Sequence, residues 1–240
     1  MLAAVREARP DVVVNAAAYT AVDAAETDEE AAFLVNAAAV DHLARAAQAQ
    51  GARLIQVSTD YVFRGDADRP YQPDDPTDPQ TAYGRSKLAG ETAARAHGGH
   101  VVRTAWVYGG PGTNFVDTML RLAVQRPTVD VVSDQIGSPT YVGDLAGGLI
   151  ELGRSHVAPT VLHYANAGQA SWYDLARAVF ARAGHDPDRV HPAGSAQFIR
   201  PAPRPSWSVL ATDVWAASGL TPPSGWTEAL DRCVPLATAR

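Results

Sequence analysis

Lysine is almost missing from this chain: of twenty cationic side chains only Lys87 is a lysine, and nineteen are arginine. Arginine serves well at most exposed positions, but its planar fork cannot replace a compact ammonium in a tight site, which marks Lys87 as kept for chemistry. Cysteine is equally scarce. With Cys233 alone, no disulfide can form within the chain, and a reducing compartment, the cytoplasm, is expected. No apolar run approaches the ~20 residues that span a bilayer, so no membrane partner is expected. The seven histidines lack His-Glu-x-x-His spacing, and no metal site is read from the sequence. Acidic side chains outnumber basic ones, 26 to 20, and the net charge of −6 argues against nucleic acid as a partner. What is present is globular: 46% of 240 residues are hydrophobic, enough for a substantial core in one or two lobes.

Lys87 follows Tyr83 by four positions in Thr81-Ala-Tyr-Gly-Arg-Ser-Lys-Leu-Ala-Gly-Glu91. With eight tyrosines in the chain, chance gives that offset about once in thirty placements. Residues i and i+4 are stacked neighbours on a helix, so a phenol and an ammonium can face one cleft. A free phenol has a pKa of about 10. An adjacent ammonium is expected to lower it, which suits proton donation to a carbonyl under reduction. Taken alone, the pair also fits an ordinary helix surface with a packed tyrosine and a solvated lysine.

Two strand-like segments favour the cleft. Arg53-Leu-Ile-Gln-Val-Ser-Thr-Asp-Tyr-Val-Phe63 is an apolar run ending in hydroxyls and a carboxylate, which reads as a buried parallel strand. Ligands of open α/β sheets bind beyond the carboxyl ends of the strands, where Ser58, Thr59 and Asp60 fall. Pro10-Asp-Val-Val-Val-Asn-Ala-Ala-Ala-Tyr-Thr-Ala-Val-Asp23 repeats the pattern, its small residues allowing a ligand close to the backbone. Apolar spacing predicts helices near residues 29–50, 82–97, 114–125, 142–153 and 171–183, and their alternation with strands predicts an α/β fold with a parallel sheet. The acidic stretch from Asp23 to Glu30 reads as a loop and helix start. Gly109-Gly-Pro-Gly112 reads as a turn after a strand.

Further motifs agree: Arg103-Thr-Ala-Trp-Val-Tyr108, Asn114-Phe-Val, Asp134-Gln-Ile-Gly-Ser-Pro-Thr140, Ser171-Trp-Tyr and Arg204-Pro-Ser-Trp-Ser-Val-Leu210. Together with the segments above, the chain resembles the extended short-chain dehydrogenase/reductases, and within them the dTDP-4-dehydrorhamnose reductase branch, almost end to end. The Tyr-x-x-x-Lys pair marks only the superfamily; Ser-Thr-Asp-Tyr-Val-Phe, Asp-Gln-x-Gly-x-Pro-Thr and the late Arg-Pro segment point to the branch.

The resemblance implies a Rossmann-like doubly wound sheet with a smaller substrate-binding lobe. Residues 1–105 would form the nucleotide-binding part, and residues 106–240 mainly the substrate-binding part, interleaved with the last sheet elements. The implied reaction is hydride transfer from NADPH or NADH to the C4 ketone of dTDP-4-dehydro-6-deoxy-L-mannose, with Mg2+ left open and a homodimer allowed. By resemblance, Tyr83 would protonate the carbonyl oxygen and Lys87 would hold the nicotinamide ribose, with Thr59 bonding the reacting oxygen. Ala18, Tyr19 and Thr20 match the family's cofactor-contacting turn. Asp60 and Trp106 match positions beside the sugar, although Trp106 equally suits a core. Arg200 and Arg204 are candidates for the diphosphate by charge and position. The proline-rich stretch from Pro192 to Pro205, a linker by composition, would wrap the substrate lobe.

One departure stands out. The family opens with a strand and a Gly-x-x-Gly-x-x-Gly loop whose backbone N–H groups hold the cofactor pyrophosphate. Met1 to Pro10 reads instead as a helix that follows such a segment, so weak NADPH binding is expected of the chain as given. Two rivals therefore remain at this level: a ketoreductase for another deoxysugar, and a non-catalytic relative such as the regulatory subunit of methionine adenosyltransferase, or an inactive fragment.

Overall fold

Leu54, Ile55, Val101 and Val102 form central strands because both faces of the sheet are covered there, as a parallel sheet requires, whereas Val14 on the edge strand is 45% exposed. The structure is a computed structural model and describes residues 2–110, 112–158 and 160–238. The first half contains α1 (Leu2–Ala8), β1 (Val12–Asn15), α2 (Val22–Ala25), α3 (Glu29–Phe33), α4 (Ala39–Gln48), β2 (Arg53–Thr59), α5 (Ala82–Ala96), β3 (His100–Thr104), β4 (Val107–Tyr108) and α6 (Phe115–Gln125). The second half adds β5 (Val129–Val132), β6 (Ile136–Gly137), β7 (Thr140–Tyr141), α7 (Val142–Arg154), β8 (Val161–His163), β9 (Ala170–Ser171), α8 (Trp172–Arg182), β10 (Val190–Ala193), α9 (Asp213–Ala217) and α10 (Trp226–Thr238).

The main sheet has the order β1-β2-β3-β8, all parallel, with Val14 opposite Ile55, Val57 opposite Val102, and Val102 opposite Leu162. One face packs Leu54 and Val101 against Val40, Ala44 and Ala94 of α4 and α5. The other packs Ile55, Val102 and Leu162 against Leu149 and Leu152 of α7 and Trp215 of α9. Helices on both faces make the sheet doubly wound. A second core joins α6, α8 and α10 through Val116, Met119, Leu175, Phe180 and Leu230. The parallel pair β5 and β10 lies against it. Because β8 follows this region's first elements and still returns to the main sheet, the two cores interleave along the chain.

Local chemistry sets the helix starts. Thr81 accepts from the Gly84 N–H at 3.0 Å and caps α5; Ser171 and Asp174 form a reciprocal capping box on α8. Asp28 caps α3, with Glu29 and Glu30 in its first turn, where the helix dipole favours carboxylates. The helix expected over residues 29–50 is interrupted by a π-helical segment, Leu34–Ala38, which places Asn36 on the inside. There α5 crosses so closely that a Cβ on Gly90 would lie 2.0 Å from the Asn36 carbonyl oxygen. The short α2 and α9 were not anticipated, since four or five residues carry no readable period. Nor was α10, whose Pro235 argues against a helix interior. Gly109, Gly110 and Gly112 all have positive φ after β4, while Pro111 of the expected turn lies outside the described residues. No helix among the described residues is long and apolar enough to cross a membrane.

Two buried polar groups bear on stability. Arg103 donates to both Glu91 carboxylate oxygens, at 2.7 and 2.9 Å, and Ser58 donates to Glu91 at 2.6 Å. His163 on β8 is fully buried, with Nδ1 3.2 Å from the Ala211 carbonyl and no partner for Nε2. Burial and the nearby Arg103 charge depress its pKa to about 3. Between about pH 6.5 and 3 the unfolded chain binds a proton at this site that the folded protein refuses, so stability falls as pH falls through that window. Asp60, pushed up to about 6, acts with the opposite sign over pH 3.8–6. Lowering the pH from 6.5 to 4.5 should cost the wild type about 2 kcal/mol more than His163→Gln. Urea midpoints of both proteins at the two pH values check this, and equal slopes would remove His163 from the account.

Candidate active site

At the carboxyl ends of β1, β2 and β3 a cleft of about 1030 Å³ opens between the two cores. One wall carries Ala16, Ala18, Thr20, Thr59, Tyr83 and Lys87; the facing wall carries Trp106, Phe115, Met119 and Trp172. Phe198, Arg200 and Arg204, from the proline-rich segment, lie along its rim. The cleft's position follows from the topology, because parallel strands end on one side and their loops splay apart there.

Tyr83 and Lys87 project from one face of α5 into the cleft, as the i, i+4 spacing predicted. Lys87 is 4% exposed, and its Nζ donates to the Val57 carbonyl at 2.7 Å. Burial lowers the ammonium's pKa to about 8, against the Glu91 charge, which raises it. Tyr83 lies beside Thr59, whose hydroxyl favours the phenolate, and the Tyr61 ring meets its ring edge-on at 5.5 Å. Here the sequence expectation needs correction. Burial pushes the Tyr83 phenol up to about 12, the Thr59 hydroxyl opposing and the Asp60 charge adding to the rise. Desolvation of the phenolate outweighs the help expected from Lys87, so the phenol stays protonated across the neutral range.

Thr59, the N-cap of the short turn at residues 60–62, accepts from the Tyr61 N–H at 3.2 Å and donates to Asp60 Oδ1 at 2.9 Å. Asp60 is 3% exposed; burial raises its pKa to about 6, with Ser208 and Thr59 hydrogen bonds opposing. Its Oδ2 has no partner of full hydrogen-bonding geometry.

The turn after β1 is held by one side chain. Asn36 accepts from the Tyr19 N–H at 2.8 Å, donates to the Tyr19 carbonyl at 3.0 Å and donates to Ser86 on α5 at 2.9 Å. Ala18 and Thr20 thereby line the cleft, whereas the Tyr19 ring packs with Ala25, Ala32 and Ala82 behind it. Trp106 follows β3 with a φ of +46°, a left-handed conformation costly for a bulky residue. It stacks on Trp172 at 3.6 Å, nearly parallel, and Phe115 tilts onto Trp172 at 4.6 Å. A Cβ on Gly137 would come within 2.5 Å of the Trp106 indole, so only glycine leaves room for that stack.

Arg200 is exposed at the rim, while Arg204 is tied by Nη2 to Asp23 at 2.8 Å and by Nη1 to the Ala202 carbonyl at 2.8 Å. Asp23 also accepts from the Ala202 N–H at 3.2 Å, so the proline-rich segment is moored to the turn beside β1. Asn36, Phe115, Trp172 and Asp23 were not singled out as site residues from sequence. Asn36 alone carried a usable signal, a polar residue within the apolar run Leu34-Val-Asn-Ala-Ala-Ala-Val40.

The described residues fit the reactive end of a nicotinamide cofactor. Ala16 and Ala18 present nothing bulkier than a methyl group, leaving room for a ring against the backbone, and Lys87 and Tyr83 lie on the same wall. The family model described as RmlD substrate binding domain matches residues 1–238. The chain belongs to this family. It is 56% identical over 227 residues to a dTDP-4-dehydrorhamnose reductase of Mycobacterium tuberculosis, covering 92% of this chain and 75% of that protein. A probable dTDP-4,6-dihydroxy-2-methyloxan-3-one 4-ketoreductase of Streptomyces antibioticus is 50% identical over 236 residues, covering 97% and 80%. Among solved structures, the dTDP-4-dehydrorhamnose reductase of Bacillus anthracis in complex with NADP superposes with a TM-score of 0.94 at 37% identity, over 98% of this chain and 84% of that one. The expected Rossmann-like α/β architecture is thus the fold of the family member.

Proposed function

We propose that this chain reduces the C4 ketone of dTDP-4-dehydro-6-deoxy-L-mannose to dTDP-L-rhamnose with NADPH or NADH. The observation that carries the reading is the convergence of Tyr83, Thr59 and Lys87 on one wall of a cleft whose other wall is aromatic. Relatives named dTDP-4-dehydrorhamnose reductase and a structural neighbour holding NADP support it. When bound, the reduced nicotinamide supplies a hydride to C4. Tyr83, protonated over the neutral range, gives its phenolic proton to the oxygen that becomes the C4 hydroxyl. Thr59 holds that oxygen by a second hydrogen bond, strengthening as negative charge develops. Lys87, fixed against the Val57 carbonyl, sets the ribose side of the cofactor and places positive charge under the phenol as it ionises. Trp106 and Trp172 cover the sugar and keep water out; Arg200 and Arg204 face the diphosphate.

Product identification by NMR after incubating a form extended upstream to carry the family's glycine loop with the ketosugar and NADPH tests the reading; dTDP-L-rhamnose is expected. A different epimer would favour the deoxysugar ketoreductase class of the Streptomyces antibioticus relative. Thr59→Val should lower kcat about 10²-fold and leave NADPH affinity unchanged. Trp106→Ala should weaken sugar-nucleotide binding roughly 10- to 100-fold. Parallel titrations with NADPH and dTDP-L-rhamnose check both, and a selective loss of NADPH binding would place these residues in the wrong half of the cleft.

A further inference from the structure

The substrate reading puts a diphosphate at the rim of the cleft, where Asp23 stands beside Arg200 and Arg204. A carboxylate near a diphosphate is repelled by it, so an aspartate at that rim needs a reason. Its contacts supply one. Arg204 Nη2 donates to Asp23 Oδ2 at 2.8 Å, the Ala202 N–H donates to Oδ1 at 3.2 Å, and Arg204 Nη1 donates back to the Ala202 carbonyl at 2.8 Å. Together these bonds close a ring that ties the proline-rich strap to the turn after β1, and Ala202 itself is buried. A second carboxylate holds the strap's other end. Asp134 accepts from the Ser195 N–H at 3.0 Å and from the Ser195 hydroxyl at 2.9 Å. Asp134 belongs to the turn before β6, where Gly137 packs on Trp106, so the strap crosses the cleft mouth from the aromatic wall to the cofactor wall. Between the anchors, Ile199 and Arg200 make no hydrogen bond with the described residues, and both are exposed. Both rim arginines face the diphosphate, but their donors are not equally free. Arg204 is engaged with Asp23 and Ala202, whereas Arg200 has no hydrogen bond or ion pair among the described residues and feels the Asp23 carboxylate only through its charge.

Resting on the substrate reading, we propose that Asp23 is a positioning residue for the sugar nucleotide: by mooring Ala202 and Arg204 it holds the strap where Arg200 reaches the diphosphate. Arg200 makes the direct contact, and Arg204 is a strut. Pro201, Pro203 and Pro205 fix φ at alternate positions, so the strap is stiff and a change at one anchor is carried to Arg200 rather than absorbed. An unmoored strap must be ordered by the ligand as it binds, and that ordering is subtracted from affinity. The Asp23–Arg204 pair is partly exposed, and an ion pair of that kind contributes little to the stability of a fold. Its effect belongs on binding. The sign of that effect separates the alternatives, because charge alone predicts tighter diphosphate binding once Asp23 is gone, and mooring predicts weaker.

The test needs no cofactor and uses the chain as it stands. Amide exchange of Ala202, followed by NMR without ligand, should quicken about tenfold in Asp23→Ala and less in Asp23→Asn, which keeps an acceptor for the N–H but loses the charge. In calorimetric titrations dTDP should bind Asp23→Ala and Arg204→Met about tenfold more weakly than wild type, with the double variant no worse than either. Arg200→Met should cost at least as much and leave nothing further for Asp23→Ala to remove. Urea midpoints should stay at the wild-type value, and dTMP, which lacks the second phosphate, should be affected less. Tighter dTDP binding in Asp23→Ala would make the carboxylate a plain repulsive charge and overturn the proposal. A loss in Arg204→Met alone would make Arg204 the direct contact, and a urea midpoint lowered in step with affinity would make Asp23 a structural group; either result overturns it too. Wild-type protein that binds neither nucleotide would sink the substrate reading and the proposal with it, whereas dTDP binding indifferent to Asp23 would sink the positioning role alone.

Discussion

Lys87→Arg is expected to lower kcat/KM for ketosugar reduction by about 10²- to 10⁴-fold, although the charge is retained. Lys87 is 4% exposed and reaches a single acceptor, the Val57 carbonyl on β2, at 2.7 Å. A guanidinium is wider than an ammonium and aims its donors in a fixed plane. In the space between α5 and β2 it must either displace the strand or leave the cleft. Tyr83→Phe should be as harmful for a different reason: it keeps the ring that Tyr61 packs against and removes the phenol that lies beside Thr59 in the cleft. Steady-state NADPH oxidation in a form extended upstream to carry the family's glycine loop, with circular dichroism to show that both variants fold, is the measurement. Turnover within a few-fold of wild type in either would remove that residue from the mechanism.

The second large effect concerns stability. Glu91→Ala should destabilise the protein by about 3–5 kcal/mol, because it leaves the Arg103 guanidinium buried without a counter-charge. Both side chains of this pair are under 5% exposed, and the guanidinium also stacks over Phe63 at 4.9 Å and donates to the Pro73 carbonyl. Little water can replace the lost carboxylate. Replacing both partners at once, Glu91→Leu with Arg103→Met, should recover most of the loss, since two apolar groups of similar volume carry no desolvation cost. Urea unfolding of the single and double variants decides the matter; a single-variant loss below about 1 kcal/mol would show that the pair behaves as an exposed one.

How far the site could be read from sequence depended on how local its geometry was. Tyr83 and Lys87 share a face because four residues on a helix make nearly one turn, and Thr59 ends a strand because apolar residues give way to hydroxyls there. Neither inference needs the rest of the chain. The aromatic wall was beyond such reasoning, because Trp106 meets Trp172 only after α8 packs beside the end of β3, with Gly137 making room. Arg204 was legible as a cation near the cleft, but its partner Asp23 is 181 positions away. The acidic stretch that looked like a plain helix start therefore also moors the rim.

By itself the sequence determined the alternation of strands and helices, the end of the sheet where chemistry belongs, and the residue types available there. Those follow from periodicity and from side-chain chemistry, which are local properties. Only the tertiary structure decided how those groups are charged and aimed. Burial reverses the pKa shift expected for Tyr83, raises that of Asp60, and turns Lys87 toward a backbone carbonyl. Desolvation depends on every atom packed around a group, most of them distant in the chain, so no window of sequence contains it. The π segment that brings Asn36 under the turn at Tyr19 is set in the same way, by α5 crossing at Gly90.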